Sequence, residues 1–433
     1  MLRNKTLLFF TILWLNSNIL HGQVPGTDIQ KNYFKIGGQY RARPEFRRGY
    51  KTLAADSSKG AFFIAQRARL ILDYRKDKVA CYASIQDSRT WGDEEQKKDI
   101  GGLQANELWF EWALLKGFSV KMGRQELAYD DHRILGNLDW GNLTISHDAL
   151  LIKFNNDNKG FKWHLGGAYN QSGEPLWAKR YTLKNYKYLG FTWLKKDLPK
   201  THSTLSAIAV LNGMAPADSL SNRTMASITS GLVYNYKHKE WKAVMGVYYQ
   251  AGKTSGNLDI SAYMLNACAE YRKNKVFTAL GADVLSGNSD NTPANKSKNF
   301  STLYATNHKF YGYMDYFLDM PTDTKQRGLM DFYWRMGIIP HKNMAISLDT
   351  HAFSLAQNRN NTAQKTGKYL GTEFDLLFDY RSSDMVSLQA GYSMMFASRS
   401  MELLKGGNAG TYNGWAYVMV KVSPTLFIHE FIN

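Results

Sequence analysis

Residues Lys35 to Arg47 read KIGGQYRARPEFR, and taken alternately they sort into two kinds. The odd positions are Lys35, Gly37, Gln39, Arg41, Arg43, Glu45 and Arg47; the even ones are Ile36, Gly38, Tyr40, Ala42, Pro44 and Phe46. Successive strand side chains point to opposite faces, so a strand here has one ionic and one apolar face. Two architectures use such a strand. One is a soluble sheet with a wet face; the other is a membrane barrel, turned inside out, with a watery lumen and a lipid-facing exterior.

The alternation recurs. Phe62, Ile64, Ala68, Leu70, Leu72 and Tyr74 oppose Ala65, Arg67, Arg69 and Asp73, with breaks at Gln66 and Ile71. Val79, Cys81, Ala83 and Ile85 alternate with Ala80, Tyr82, Ser84 and Gln86, which puts Cys81 outside as a small packing residue. Near the other end Leu370, Phe374, Leu376, Phe378 and Tyr380 oppose Gly371, Glu373, Asp375 and Asp379, and a similar run spans Val386 to Phe396. Counted along the chain, such segments predict about eighteen strands, from 34–47 to 414–422. Short connections at Arg75 to Lys78, Lys237 to Glu240 and Arg381 to Asp384 suit periplasmic turns. Thr90 to Gly102, Pro199 to Ser203, Ser286 to Gly328 and Leu355 to Lys368 are longer. Short turns alternating with long loops are the habit of outer-membrane barrels, and roughly eighteen strands are wide enough for an aqueous channel.

Composition agrees. Among 433 residues, 26 Tyr, 22 Phe and 11 Trp favour strands, while 35 Gly with only 9 Pro suits tight turns rather than disordered linkers. A soluble sandwich or propeller calls for polar outer faces, yet the apolar faces here are aromatic-rich from end to end, as an encircling lipid belt requires. Met1 to Gln23 has signal-peptide layout: Arg3 and Lys5, an apolar run from Leu7 to Leu15, and Gly22 near its end. The expectation is a cleaved leader, 1–23, followed by one all-β antiparallel barrel, 24–433, in the bacterial outer membrane. Loss of Arg3 and Lys5 takes the formal charge from +17 down by two, to +15. Two cysteines, Cys81 and Cys268, make no disulfide scaffold, and whether they pair is open.

If apolar faces meet lipid, the opposite faces line a pore. Its first two strands then contribute Lys35, Arg41, Arg43, Arg47, Arg67 and Arg69, with Glu45 and Asp73 among them. Charges about 5 Å apart at an effective dielectric near 20 interact by roughly 3 kcal/mol, so such a wall favours anions. Arginine suits the task, since its planar fork grips carboxylates bidentately and keeps its charge. The plainer reading is wall scaffolding, with Glu45, Glu373 and Asp375 neutralising the arginines. A second stretch, GRQELAYDDHRILGNLDW at Gly123 to Trp140, has awkward parity: Phe118, Val120 and Met122 suggest the lipid side, which leaves Arg124 outside unless a bulge at Gly123 turns it.

These words together resemble the alginate export family of outer-membrane porins: YRARPEFR at Tyr40 to Arg47, QRARLIL at Gln66 to Leu72, the Gly123 to Trp140 stretch, and HKFYGYMDYF at His308 to Phe317. The resemblance implies an eighteen-stranded barrel with an arginine-rich, anion-selective constriction that carries a few acidic residues. By motif, Arg41, Arg43, Arg67, Arg69 and Arg124 become lumen arginines, and Arg133, Asp148, Lys309 and Asp315 further candidates. Long loops of the family are thought to plug the pore, which points to Thr90 to Gly102 and Ser286 to Gly328. The expected cargo is an acidic polysaccharide such as alginate or a related anionic glycan, with lipopolysaccharide around the barrel and periplasmic export partners beneath it. The alternative is a general or uptake porin for small anionic solutes.

Enzyme readings find little. There is no G-x-S-x-G elbow, H-E-x-x-H pair or phosphate loop, and no cofactor is implied. Asp130-Asp131-His132 could ligate a metal but reads more simply as an exposed polar turn. Ser146-His147-Asp148 has the residue types of an outer-membrane lipid hydrolase, yet neighbours in a strand cannot all face one way. An exported barrel with basic residues spread among acidic ones also argues against nucleic acid as the partner of the positive charge.

Overall fold

In the computed structural model the two-residue alternation becomes a closed antiparallel barrel. The structure describes residues 32–97, 102–177, 181–217, 223–358 and 367–431, so the leader expected at Met1 to Gln23 lies outside the described residues. The first nine strands are β1 (Tyr33–Arg48), β2 (Ala61–Lys76), β3 (Val79–Thr90), β4 (Gln104–Leu115), β5 (Phe118–Gln125), β6 (His147–Asn156), β7 (Phe161–Tyr169), β8 (Tyr188–Leu198) and β9 (Ser203–Met214). Then come β10 (Met225–His238), β11 (Trp241–Lys253), β12 (Asp259–Lys273), β13 (Val276–Leu285), β14 (Leu329–His341), β15 (Met344–Leu355), β16 (Tyr369–Arg381) and β17 (Val386–Ala397). The last stave, β18, runs Gly414–Val422 and resumes beyond Pro424 as Thr425–Glu430. Each strand pairs with the next, and β18 pairs back with β1, which makes the eighteen-stranded barrel that the period-two reading predicts.

The wall is inverted relative to a soluble protein. Phe62 is 68% exposed and Leu280 65%, whereas Arg67, Glu373 and Asp375 are 0% exposed. Apolar side chains ring the outside and ionic ones fill the inside, as a lipid surround demands. Cys81 lies exposed on β3, whereas Cys268 is half-buried among inward residues of β12, and both thiols are free.

Two local features bend the pattern. Leu370, expected outside, is fully buried: Phe353 pairs with Gly371 and Ser354 with Tyr369, so a bulge at Gly371 (φ +151°) skips Leu370 and turns it inward. At the barrel seam, β1 and β18 pair through Ala42–Val420 and again from Glu45–Tyr417, with the rungs between them absent, although β1–β2 pairing is unbroken from Tyr33 to Arg47. Pro44 lies in that gap and has no N–H to give it.

The long connections all leave one end of the barrel and the short turns the other. Pro199 to Ser203, grouped by length with the loops, sits at the short-turn end, where Pro199–Thr201 forms a single 3-10 turn between β8 and β9. Two loops, 126–146 and 286–328, fold inward; the second is expected to, and the first is the largest departure from expectation.

Candidate functional site: a gripped loop in the lumen

The site begins with strand register. On the inner face Arg41 of β1 pairs with Arg67 of β2, and Gln39 pairs with Arg69 on the next inward rung. Like charges directly opposite repel, so the patch needs anions close by. The wall supplies one. Glu45 accepts from Arg43 Nε at 2.7 Å and from Arg47 Nη2 at 2.7 Å, and Trp415 Nε1 of β18 closes its shell at 2.9 Å. Arg43 and Arg47 are therefore scaffolded, as the plainer reading has it.

Arg41, Arg67 and Arg69 are met instead by the loop 126–146. Arg41 donates to the carbonyl oxygens of Asp139 (2.7 Å) and Gly141 (2.6 Å) and to Asn142 Oδ1 (3.1 Å). Arg67 donates to Asp139 Oδ1 at 2.8 Å and Arg69 approaches the same oxygen at 3.4 Å. Arg43 adds the Trp140 carbonyl at 2.8 Å. Burial works against a charged Asp139, but the guanidiniums of Arg67, Arg41 and Arg69 outweigh it and hold its carboxyl below the usual range.

Why the loop sits there follows from its pairing with the second loop. Leu135 and Tyr304 form a parallel bridge; Gly136 N donates to Tyr304 O at 2.9 Å and Thr306 N to His132 O at 3.0 Å. Gly136 permits this approach, since a Cβ there would stand 2.4 Å from Thr306 Oγ1 and 2.9 Å from its backbone nitrogen. The joined loops reach several walls. Asp130 accepts from Trp193 and Ser206 of β8 and β9, Arg133 pairs with Asp283 of β13 and with Asp131, and Met314 N donates to Glu373 of β16 at 2.8 Å. Gly312 (φ +75°) rests directly on the Glu373 carboxylate.

An aromatic group adjoins the arginines. The Trp140 ring stacks on His308 (4.5 Å between centroids, 12° between planes) and meets Tyr417 edge-on at 4.9 Å, with the Arg43 guanidinium 4.2 Å from its centroid. Trp415 and Tyr417, two apart on β18, stack on each other at 4.6 Å. Asp315 accepts from His308 Nδ1 at 2.6 Å and also from the Tyr50 hydroxyl. Lys309 donates to the Asp131 carbonyl at 3.2 Å, and burial pushes its ammonium down to about 8. A cavity of about 60 Å³ remains between this cluster and the wall, bordered by Arg41, Asp139, Trp140, His308, Tyr417 and Lys421.

The structure thus gathers Arg41, Arg43, Glu45, Arg47, Arg67, Arg69, Lys309 and Asp315 around the inward loops, with Arg133 inside the first of them. One pair is misplaced. Arg124 and Asp148 lie on the outer face, paired at 3.2 Å and with side chains 41% and 63% exposed, because Gly123 does not reverse the parity and their neighbours Gln125 and His147 point in. Glu373 and Asp375 are buried inside, where pore-lining residues belong, but among the described ion pairs neither neutralises Arg41, Arg43, Arg67 or Arg69, and Glu373 accepts from the Met314 N–H instead. Trp91, in the Thr90 to Gly102 loop, is exposed and donates to Gln66 on the outer face, so the described part of that loop does not enter the lumen. Asp130, Asp131 and His132 are partly buried in the inward loop rather than exposed, and among the described residues no cluster suited to a metal is found. His147 faces in and Asp148 out, which divides the Ser146-His147-Asp148 triplet. The reading missed Asp139, Trp140, Trp415, Tyr417 and Lys421; the last three lie on one parity of WAYVMVK and were accessible to the same period-two rule.

Residues 32–171 match the alginate export family model. The match covers β1 to β7 with both arginine strands and the gripped loop. No curated protein matches the chain. Among solved structures it is similar to OccAB1 of Acinetobacter baumannii (12% identity, TM-score 0.62, covering 91% of this chain and 97% of that one). It is similar also to a BenF-like porin of Pseudomonas fluorescens Pf-5 (12% identity, TM-score 0.60, covering 91% and 99%). The outer-membrane protein OpdK of Pseudomonas aeruginosa gives 9% identity and a TM-score of 0.58, covering 92% and 99%. At such identities the likeness speaks for the fold. With the family match over residues 32–171, it supports a bacterial outer-membrane channel.

Proposed function

We propose that this channel passes an acidic polysaccharide, alginate or a related anionic glycan, through an anion-selective lumen. The observation that carries the reading is the division among the arginines. Arg43 and Arg47 have a carboxylate partner built into the wall, whereas the carboxylate on Arg67 and Arg69 comes from a loop. With the loop withdrawn, a guanidinium cluster faces whatever moves through, and each contact is of a kind a passing carboxylate can make and leave. No chemical step on the cargo, and no cofactor, enters this reading.

A second reading keeps the barrel and changes the cargo to a small anionic solute. It is favoured by the small free space beside Arg41 and by the barrel of similar fold, OpdK, that was solved with vanillate. Reversal potentials across planar bilayers under a salt gradient test the shared premise. Wild type should prefer anions, and Arg41→Ala combined with Arg67→Ala should move the reversal potential toward zero; an unchanged preference would leave the arginines as scaffolding. Current block by an acidic oligosaccharide but not by a small carboxylate separates the two cargoes.

A further inference from the structure

We infer that the segment Asp139 to Asn142 is an internal stand-in for an acidic sugar chain, which occupies the arginine site until a permeating carboxylate sugar displaces it. This rests on the anion-pathway reading and adds to it a competitor encoded in the chain itself. Four successive residues offer the arginines only acceptor oxygens: the Asp139 carboxylate, the carbonyls of Asp139, Trp140 and Gly141, and the Asn142 side-chain oxygen. A polyuronate offers the same series, one carboxylate per ring among hydroxyl and ring oxygens. The Trp140 ring completes the likeness. It lies flat against His308 and edge-on to Tyr417, where the apolar face of a pyranose could pack on aromatic walls. Carboxylate and ring belong to adjacent residues, as they belong to one sugar unit.

The arrangement also explains why these arginines tolerate burial. Arg67 is fully buried beside two further guanidiniums, and removing the anion from such a patch leaves uncompensated charge. A loop that leaves without replacement is disfavoured; a loop exchanged for a uronate is not. The segment therefore acts as a lock matched to its key.

The two ideas separate in one binding experiment, with a uronic acid trimer as probe and the full chain in detergent micelles. If Asp139 competes with the probe, Asp139→Asn should bind the trimer about tenfold more tightly than wild type, because the site is no longer self-occupied. If Asp139 merely shapes the wall or itself helps hold sugar, affinity stays equal or falls, and the inference is overturned. Trp140→Ala gives a second, independent arm with the same expected direction. Heat-modifiable gel migration shows that each variant has kept its barrel. Arg67→Gln in the Asp139→Asn background should abolish binding; tight binding that survives it places the sugar elsewhere. Absence of trimer binding in every variant would overturn the anion-pathway reading itself, whereas arginine-dependent binding of equal strength in wild type and Asp139→Asn would overturn only the lock.

Discussion

At the scale of single residues, the lumen is governed by which charges have partners and where those partners are anchored. Glu126 illustrates the cost of an ill-matched one. Burial and the nearby Glu107 carboxylate push it from an ordinary 4.5 up to about 8, although Asn137 donates to it at 2.8 Å. In the docked loop it stays protonated at neutral pH; in a swung-out loop it ionises near its ordinary value. Docking is thus favoured fully below about pH 4.5 and loses ground as pH rises toward 8. Asp139, held low, acts below this window, and Lys309, brought down to about 8, acts above it. Channel open probability recorded from pH 5 to pH 8 should therefore rise in wild type and stay level in Glu126→Gln. A rise of equal size in the variant would remove Glu126 from the device. Such coupling was not legible in the sequence. Arg41 and Asp139 lie 98 positions apart, and nothing in their local spacing announces that they meet.

At the scale of elements, legibility depended on lipid. Each strand shows one face to hydrocarbon, so an alternation of two survives in all eighteen, and strands drawn at 34–47, 62–74 or 385–396 fall within a residue or two of those observed. The loops have no such constant surround. Segments 126–146 and 286–328 dock through single side chains on distant walls, which leaves no period to read; length and the family resemblance flag the second, while the first stands out as a motif, with Arg133 a lumen candidate, but not as an inward loop. Arg124 was misplaced because a borrowed motif was set above the strand's own parity. That parity has a measurable energetic meaning. Leu232, midway along β10 and 52% exposed to the outside, should cost about 2–4 kcal/mol when changed to Arg, read from urea unfolding in lipid vesicles. An effect within about 0.5 kcal/mol would mean that this face does not meet hydrocarbon.

At the scale of the whole molecule, the lumen is polarised across its width. The guanidiniums of β1 and β2, with Lys421 of β18, form one wall; Asp283, Asp331, Asp349, Glu373 and Asp375 on β13 to β16 form another, and all five are buried. Arg133, His351 and Arg335 answer the first three of these acids. On the proposed reading, an anion entering this field would be drawn to one side of the channel, past the arginines rather than down the axis. Cys81 and Cys268 sit on opposite faces of the wall, so the openness of their pairing in the sequence closes: the barrel carries no internal bridge.

The gap at Pro44 has a mechanical consequence. A cylinder rolled from one ribbon has a single line where its two ends were joined, and here that line lacks rungs beside Arg43. Pulled apart, the wall should tear along this suture before any hairpin yields, and a staple placed across it, Tyr40→Cys with Val422→Cys, should raise the melting temperature more than one placed between β10 and β11. Since the torn edge carries Arg41 and Arg43, the clasp on the loop would let go in the same event.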